Sequence, residues 1–200
     1  MTIAVNMARG PTIMLQSGAW FDLLDPASSD FTIDDIAHGL AHICRYAGQC
    51  RDFYSVAEHS IHVSNMCEEG KLEALLHDAA EAFIGDVTRP LKQLMPEYKR
   101  IEKAVERAVF ERFNLVMPFP AEIKEADLRV LAAEQAQIMA PSTSEWARTS
   151  GVYPAPIRVE FMPPKVAKRA FLKRYTELAA ERRLRTEPPR QAELPLTTRR

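Results

Sequence analysis

Two hundred residues suffice for one globular domain with its own core, and an apolar fraction of 46% is that of an ordinary folded chain. With 26 basic and 27 acidic residues the net charge is −1, which removes any global electrostatic argument for nucleic-acid binding. Cys44, Cys50 and Cys67 show no CxxC spacing, no stretch reaches the roughly 18 apolar residues of a membrane span, and the start lacks a basic segment followed by an apolar run. The expectation is a reduced, cytoplasmic protein with no membrane segment.

Residues 1–31 are rich in turn formers and show no clear period; "SGAWFDLLDPASSDF" has room for a short extended piece and a loop. Asp30 or Thr32 can cap the next segment, with Asp34 and Asp35 in its first turn. Ile33, Ile36, Ala37, Leu40, Ile43 and Cys44 then recur at helical spacing, in a helix expected to run to Gly48. A second helix is expected over 54–69, closed by Gly70, and a third over 71–84, closed by Gly85, with Pro90 in a loop. Further helices are expected over 98–113, with Ile101, Val105 and Ala108 inward, and over 121–139. Residues 141–164 are Pro-rich and read as irregular. A basic helix over 164–183 should turn Val166, Ala170, Phe171, Tyr175 and Leu178 inward. Residues 184–200 read as a disordered tail. The fold class is all-α.

Two apolar stripes carry ionisable residues. His59 falls on the stripe of Val56, Val63 and Met66. Asp127 falls on that of Ile123, Val130, Leu131 and Ile138, and Glu134 shares its face. The stretch "LLHDAAEAFIGDV" adds His77 and Asp78 beside an apolar face, followed by Glu81 and Asp86. Ionisable groups near a core are costly unless compensated. A single His on such a stripe is commonly a hydrogen-bonded core residue, and a single Asp a cap or salt-bridge partner. His59, His77, Asp78 and Asp127 can instead answer one another through a metal ion, since two imidazoles and two carboxylates suit Zn, Mn, Fe, Co, Ni or Mg.

The segments "YSVAEHS", "LLHDAAEAFIGDVTRPLK", "IKEADLRVLAAE" and "IDDIAHGLAHICRYAG" resemble the HD-domain metal-dependent phosphohydrolases. The nearest-looking branch is the small bacterial and phage 5′-deoxynucleotidases and deoxynucleotide triphosphohydrolases. The resemblance spans residues 12–140 and rests on the ordered set H…HD(x2)E(x4)D…D, which is far more specific than an HD dipeptide. It implies one HD domain over 1–183 with its motif core in 33–140, and a divalent ion (Co, Mn, Mg, Zn, Fe or Ni) on His59, His77, Asp78 and Asp127. It also implies Glu81 as catalytic acid/base and Asp86 as a second acidic group near the reacting phosphate. Arg45 at the end of the first helix and Lys92 in "RPLK" match phosphate-contacting positions, with Arg89 a weaker match. Members of the family hold His where Gln49 stands, so pocket detail does not carry over there. A homodimer is suggested by relatives.

The expected activity is hydrolysis of the 5′-phosphoester of a deoxynucleoside monophosphate. Alternatives are a deoxynucleoside triphosphate triphosphohydrolase, a non-catalytic nucleotide or metal sensor, and a nucleic-acid binder using the basic last helix. His38 and His42, four apart and followed by Arg45, read as supporting or surface residues, and His62 as structural or exposed. Trp20, Phe21 and Tyr54 are either core aromatics or a stacking surface for a base.

Overall fold

The computed structural model describes residues 10–186. The fold is all-α apart from one antiparallel hairpin of β1 (Thr12–Met14) and β2 (Trp20–Asp22), in which Ile13 pairs with Phe21. The helices are α1 (Ile33–His42), α2 (Val56–Met66), α3 (Lys71–Leu75), α4 (Glu81–Ile84), α5 (Arg89–Gln93), α6 (Pro96–Arg112), α7 (Ala121–Ile138), α8 (Glu145–Thr149) and α9 (Pro164–Thr186). The expected tail at 187–200 lies outside the described residues; 184–186 continue α9.

Helix α1 is central and packs on α2, α4 and α9, while α2 packs on α3, α7 and α9. Its start is a reciprocal capping box: the Thr32 hydroxyl accepts from the Asp35 N–H and the Asp35 carboxylate accepts from the Thr32 N–H. Gly39 is where α1 meets the α4 region. A Cβ there would lie 2.7 Å from the Ala82 carbonyl oxygen, so only glycine permits this approach. Above it, Phe21 of the hairpin stacks on Phe83 with centroids 3.9 Å apart, and Phe31 meets both edge-on. A second apolar cluster, including Val63, Ile123, Ala126 and Val130, joins α2 to α7.

Three expectations need correction. The first helix ends at His42, not Gly48, because residues 43–45 turn extended and pair with 54–56: Arg45 N–H donates to Tyr54 O at 2.8 Å and Val56 N–H to Ile43 O at 3.1 Å. Arg45 therefore lies on an extended piece, not at a helix end, and Tyr46, Ala47 and Gly48 follow with positive φ. The expected third helix is broken: α3 stops at Leu75, and α4 begins at Glu81 after a run of tight turns. Pro90 sits not in a loop but in the first turn of α5, where its missing N–H costs nothing. Smaller departures are α8 inside the Pro-rich stretch and Val166, which is 39% exposed rather than inward. Phe171 and Leu178 of α9 are buried as expected, and Ala167 takes the inward place that Val166 does not.

The irregular chain before α9 is tied down by one buried carboxylate. Glu58 of α2 accepts from the backbone N–H groups of Glu160 and Met162 at 2.6 and 2.7 Å. Among the described residues no helix is long and apolar enough to cross a membrane.

Candidate metal centre

The chain from Leu76 to Phe83 follows i→i+3 hydrogen bonds. Ala79 N–H donates to Leu76 O at 3.0 Å, Glu81 N–H to Asp78 O at 3.0 Å, and Phe83 N–H to Ala80 O at 3.0 Å. In such tight turns residues three apart eclipse, so Asp78 and Glu81 lie in line more closely than on a regular helix. His77 is oriented by its own backbone: Nδ1–H donates to Ala74 O at 2.7 Å, which leaves Nε2 to face outward from the turn.

The other two sequence candidates arrive from α2 and α7. His59 Nε2 lies 3.4 Å from Asp127 Oδ1 and 3.5 Å from Asp78 Oδ2; His77 Nε2 lies 3.2 Å from Asp78 Oδ2 and 4.0 Å from Asp127 Oδ1. The structure thus brings His59, His77, Asp78 and Asp127 together. The first three offer one ligand atom each, all within 4.8 Å of one another, a group that could hold a metal ion. The Nε2 atoms of both histidines are buried and make no hydrogen bond, while each Nδ1 is held by an oxygen. Ligating imidazoles are arranged in this way: one nitrogen is fixed by an outer partner and the other presented to the metal. The residues fit a divalent ion.

Burial disfavours charge on Asp78, but His77, His59 and Arg45 outweigh it and hold its pKa below the usual carboxylate range. Asp127 is likewise held low, against burial, by His59, His77 and Lys124. Both are therefore anionic, as ligands must be. Burial and the nearby Arg45 oppose a proton on His59, yet Glu134 and Asp127 raise its pKa to about 9. A metal at Nε2 would have to displace that proton.

Glu81 is 7% exposed and points at the same region. Burial first, then the charges of Asp78 and Asp86, raise its pKa well above the usual value, only partly offset by Arg45 and Lys92. Its Oε1 is 3.5 Å from Lys92 Nζ, and its Oε2 is buried without a hydrogen bond. Asp86 follows Gly85, whose φ of +79° turns the chain out of α4; its charge is felt by both Glu81 and Arg45.

Of the two expected cations, Arg45 is buried at 8% exposure, with Nη1 3.7 Å from Asp78 Oδ2 and Nε 3.4 Å from Glu134 Oε2. Lys92 on α5 bridges Glu81 and Glu102, the latter at 2.6 Å. Arg89 is exposed on the same short helix. His38 and His42 stack on each other with centroids 4.1 Å apart, and His42 Nδ1 bonds His38 O; His62 lies 3.7 Å from Glu58. Phe21 and Tyr54 are fully buried, whereas Trp20 is 36% exposed on β2.

Three features of the site had no sequence argument. Glu134 was visible only as a residue on the stripe, yet it receives hydrogen bonds from His59, Tyr46 and Tyr54. Glu102 and Glu106 of α6 bring carboxylates near Lys92, and they belong to a surface-looking "IEKAVERA" pattern. A cleft of about 390 Å³ opens beside His77, Asp78 and Asp127, with Glu106, Phe110 and Phe119 in its wall. A neighbouring hollow of about 650 Å³ shares Glu106 and Phe110 and adds Lys103 and Arg107.

No protein-family model matches this sequence. The chain is 37% identical over 157 residues to the uncharacterized protein YfdR of Escherichia coli K12, covering 77% of this chain and 88% of that one. It belongs to the same family as YfdR. It is also 38% identical over 179 residues to the uncharacterized protein RCAP_rcc00048 of Rhodobacter capsulatus, covering 80% of this chain and 91% of that one. YfdR and this chain match over most of both lengths, so the shared unit is the domain as a whole rather than a fragment around one motif.

Proposed function

We propose that this protein is a divalent-metal-dependent phosphohydrolase of the HD-domain kind that removes the 5′-phosphate of a deoxynucleoside monophosphate. The observation that carries the reading is the pair of buried Nε2 atoms, on His59 and His77, that make no hydrogen bond and face the anionic carboxylates of Asp78 and Asp127. Hydrogen-bonded core histidines would not leave both atoms unused.

In this reading His59, His77, Asp78 and Asp127 hold the ion. When bound, a divalent metal lowers the pKa of water and neutralises charge developing on a phosphoryl oxygen. Glu81 holds a proton above the usual carboxylate range and donates it to the departing 5′-oxygen; Asp86, beyond the Gly85 turn, orients the attacking water. Arg45, from the floor of the site, and Lys92, from its rim, face the transferring phosphoryl group. The cleft beside Asp127 gives the nucleoside an apolar wall at Phe110 and Phe119.

The cations favour one phosphate. Arg45 and Lys92 are both already balanced by carboxylates, which leaves little positive charge for a triphosphate. A triphosphate reading draws instead on Lys103 and Arg107 in the adjoining hollow. Phosphate and nucleoside release from dAMP, dATP, AMP and ATP, each with Mn, Co, Mg and Zn, tests both. Release from dAMP well above that from dATP is expected. The reverse order moves the substrate to the triphosphate, and no release from a full nucleotide panel with any metal overturns the enzyme reading in favour of a sensor.

A further inference from the structure

We propose that Glu134 is a positioning residue that sets His59 as a metal ligand and Arg45 as a phosphate contact through one carboxylate, an inference that rests on the metallo-phosphohydrolase reading above. Glu134 is fully buried near the C-terminal end of α7 and its two oxygens are divided between two tasks. Oε1 accepts from His59 Nδ1–H at 2.6 Å and from the Tyr54 hydroxyl at 2.7 Å. Oε2 accepts from the Tyr46 hydroxyl at 2.6 Å and lies 3.4 Å from Arg45 Nε.

The Oε1 side fixes the tautomer and the ring angle of His59. With the proton at Nδ1 held by a carboxylate, Nε2 is the only nitrogen free to ligate, and the anion behind the ring makes it a better donor. The Oε2 side anchors the guanidinium from behind, so that Nη1 reaches to 3.7 Å from Asp78 at the cluster. The two tyrosine hydroxyls hold the carboxylate in the plane that serves both. Arg45 and Tyr46 come from the stretch after α1 where the extended piece gives way to a positive-φ turn, Tyr54 from the strand-like segment paired to that piece, and His59 from α2. A single side chain of α7 therefore registers three separate parts of the chain on one centre.

A purely structural role would also bury a satisfied carboxylate here, so the test must read the site and not the fold. Glu134→Gln keeps the shape, but its amide has one acceptor oxygen where the carboxylate has two, and no charge. Titration calorimetry with Mn2+ alone, on protein stripped of metal, should show a Kd raised roughly 10-fold or more relative to the natural protein, the range typical of lost outer partners of metal-ligating histidines. Inorganic phosphate binding to the Mn2+-saturated variant should weaken as well. Circular dichroism and a cooperative urea transition establish that the variant is folded. Should Glu134→Gln not fold, Glu134→Asp keeps the charge but cannot reach both sides at once, and the same rise in Mn2+ Kd is expected. Folded variants whose Mn2+ Kd stays within about twofold of the natural protein's overturn the positioning role while leaving the metal reading intact. A natural protein that binds no Mn2+ overturns the metal reading and this inference with it.

Discussion

Glu134 is fully buried, with hydrogen-bond donors at both oxygens; Glu81 is 7% exposed, with one oxygen 3.5 Å from Lys92 and the other without a hydrogen bond. Burial pushes the pKa of each upward, and the neighbours then decide. Around Glu134, Arg45 and His59 outweigh burial and bring the pKa down to about 2. Around Glu81, Asp78 and Asp86 add to burial and drive it well above the usual value. The same side chain thus becomes a fixed anion in one place and a proton holder in another, some few residues of chain from a common cluster. Acid and anion roles are assigned by surroundings and not by residue type.

The largest effect expected is on what lies between these two glutamates. His77→Ala or Asp78→Ala removes a ligand atom from a set whose donors lie within 4.8 Å of one another, and should strip the ion and abolish hydrolysis. Each variant should also lose the rise in Tm that added metal gives the natural protein, since an ion bound only to the folded state stabilises by linkage. Elemental analysis checks this directly, and full metal occupancy in both variants would remove these residues from the ligand set.

Glu81 is the sharper probe of chemistry. Glu81→Gln keeps the volume and cannot give up a carboxyl proton, so metal content should be unchanged while kcat falls roughly 100-fold or more. A kcat near that of the natural protein means that the raised pKa of Glu81 is incidental to burial.

The contrast between the two glutamates can be read without any substrate, from stability against pH in metal-free protein. For Glu134 the folded pKa is depressed to about 2, so between that value and the ordinary carboxylate range the unfolded chain holds the proton and the folded chain does not. Its contribution is complete above the ordinary range and is lost as pH falls toward about 2. Glu81 has a raised folded pKa, so the folded chain holds the extra proton; its contribution is complete below the ordinary range and drains away as pH rises above it. Urea midpoints from about pH 3 to about pH 8 should therefore separate the variants. Glu81→Gln should gain on the natural protein as pH rises, and Glu134→Gln should recover toward it as pH falls. Parallel curves would mean that the two carboxyls share one environment after all.

The helical frame and two of the four candidate ligands were legible because they sit on a period that local sequence carries: His59 on 56, 63 and 66, and Asp127 on 123, 130 and 138; His77 and Asp78 stood out only as an adjacent pair beside an apolar face. The break after Leu75 was not legible. "LLHDAAEAFI" contains good helix formers and neither glycine nor proline, so nothing local announces a change from i→i+4 to i→i+3 bonding. The end of α1 at His42 was hidden for a different reason. It is imposed by pairing with residues 54–56, a tertiary contact that overrides the helical pattern continuing through Ile43 and Cys44. The partners of Glu134 were equally out of reach, since Tyr46 and Tyr54 lie 88 and 80 positions away in the chain. A stripe shows that a carboxylate faces inward, not what it meets there.

The smallest effect expected tests how evenly the Glu134 network is shared. Tyr54 is fully buried, and its hydroxyl donates to Glu134 Oε1 at 2.7 Å, beside the 2.6 Å bond from His59 to the same oxygen. Tyr54→Phe removes that hydroxyl alone. The aromatic ring stays in its cluster with Ile138 and Val159, and Glu134 keeps His59, Tyr46 and Arg45. No charge is left uncompensated, so the cost should be that of one hydrogen bond, about 1 kcal/mol in urea unfolding. The Mn2+ affinity should move by no more than a few-fold, because the Oε1–His59 contact remains. A loss of about 3 kcal/mol or more, the scale of a buried charge stripped of its partner, would mean that Tyr54 and not the histidine is what keeps Glu134 ionised, and the carboxylate's hold on His59 would then be the weaker of its two bonds at Oε1.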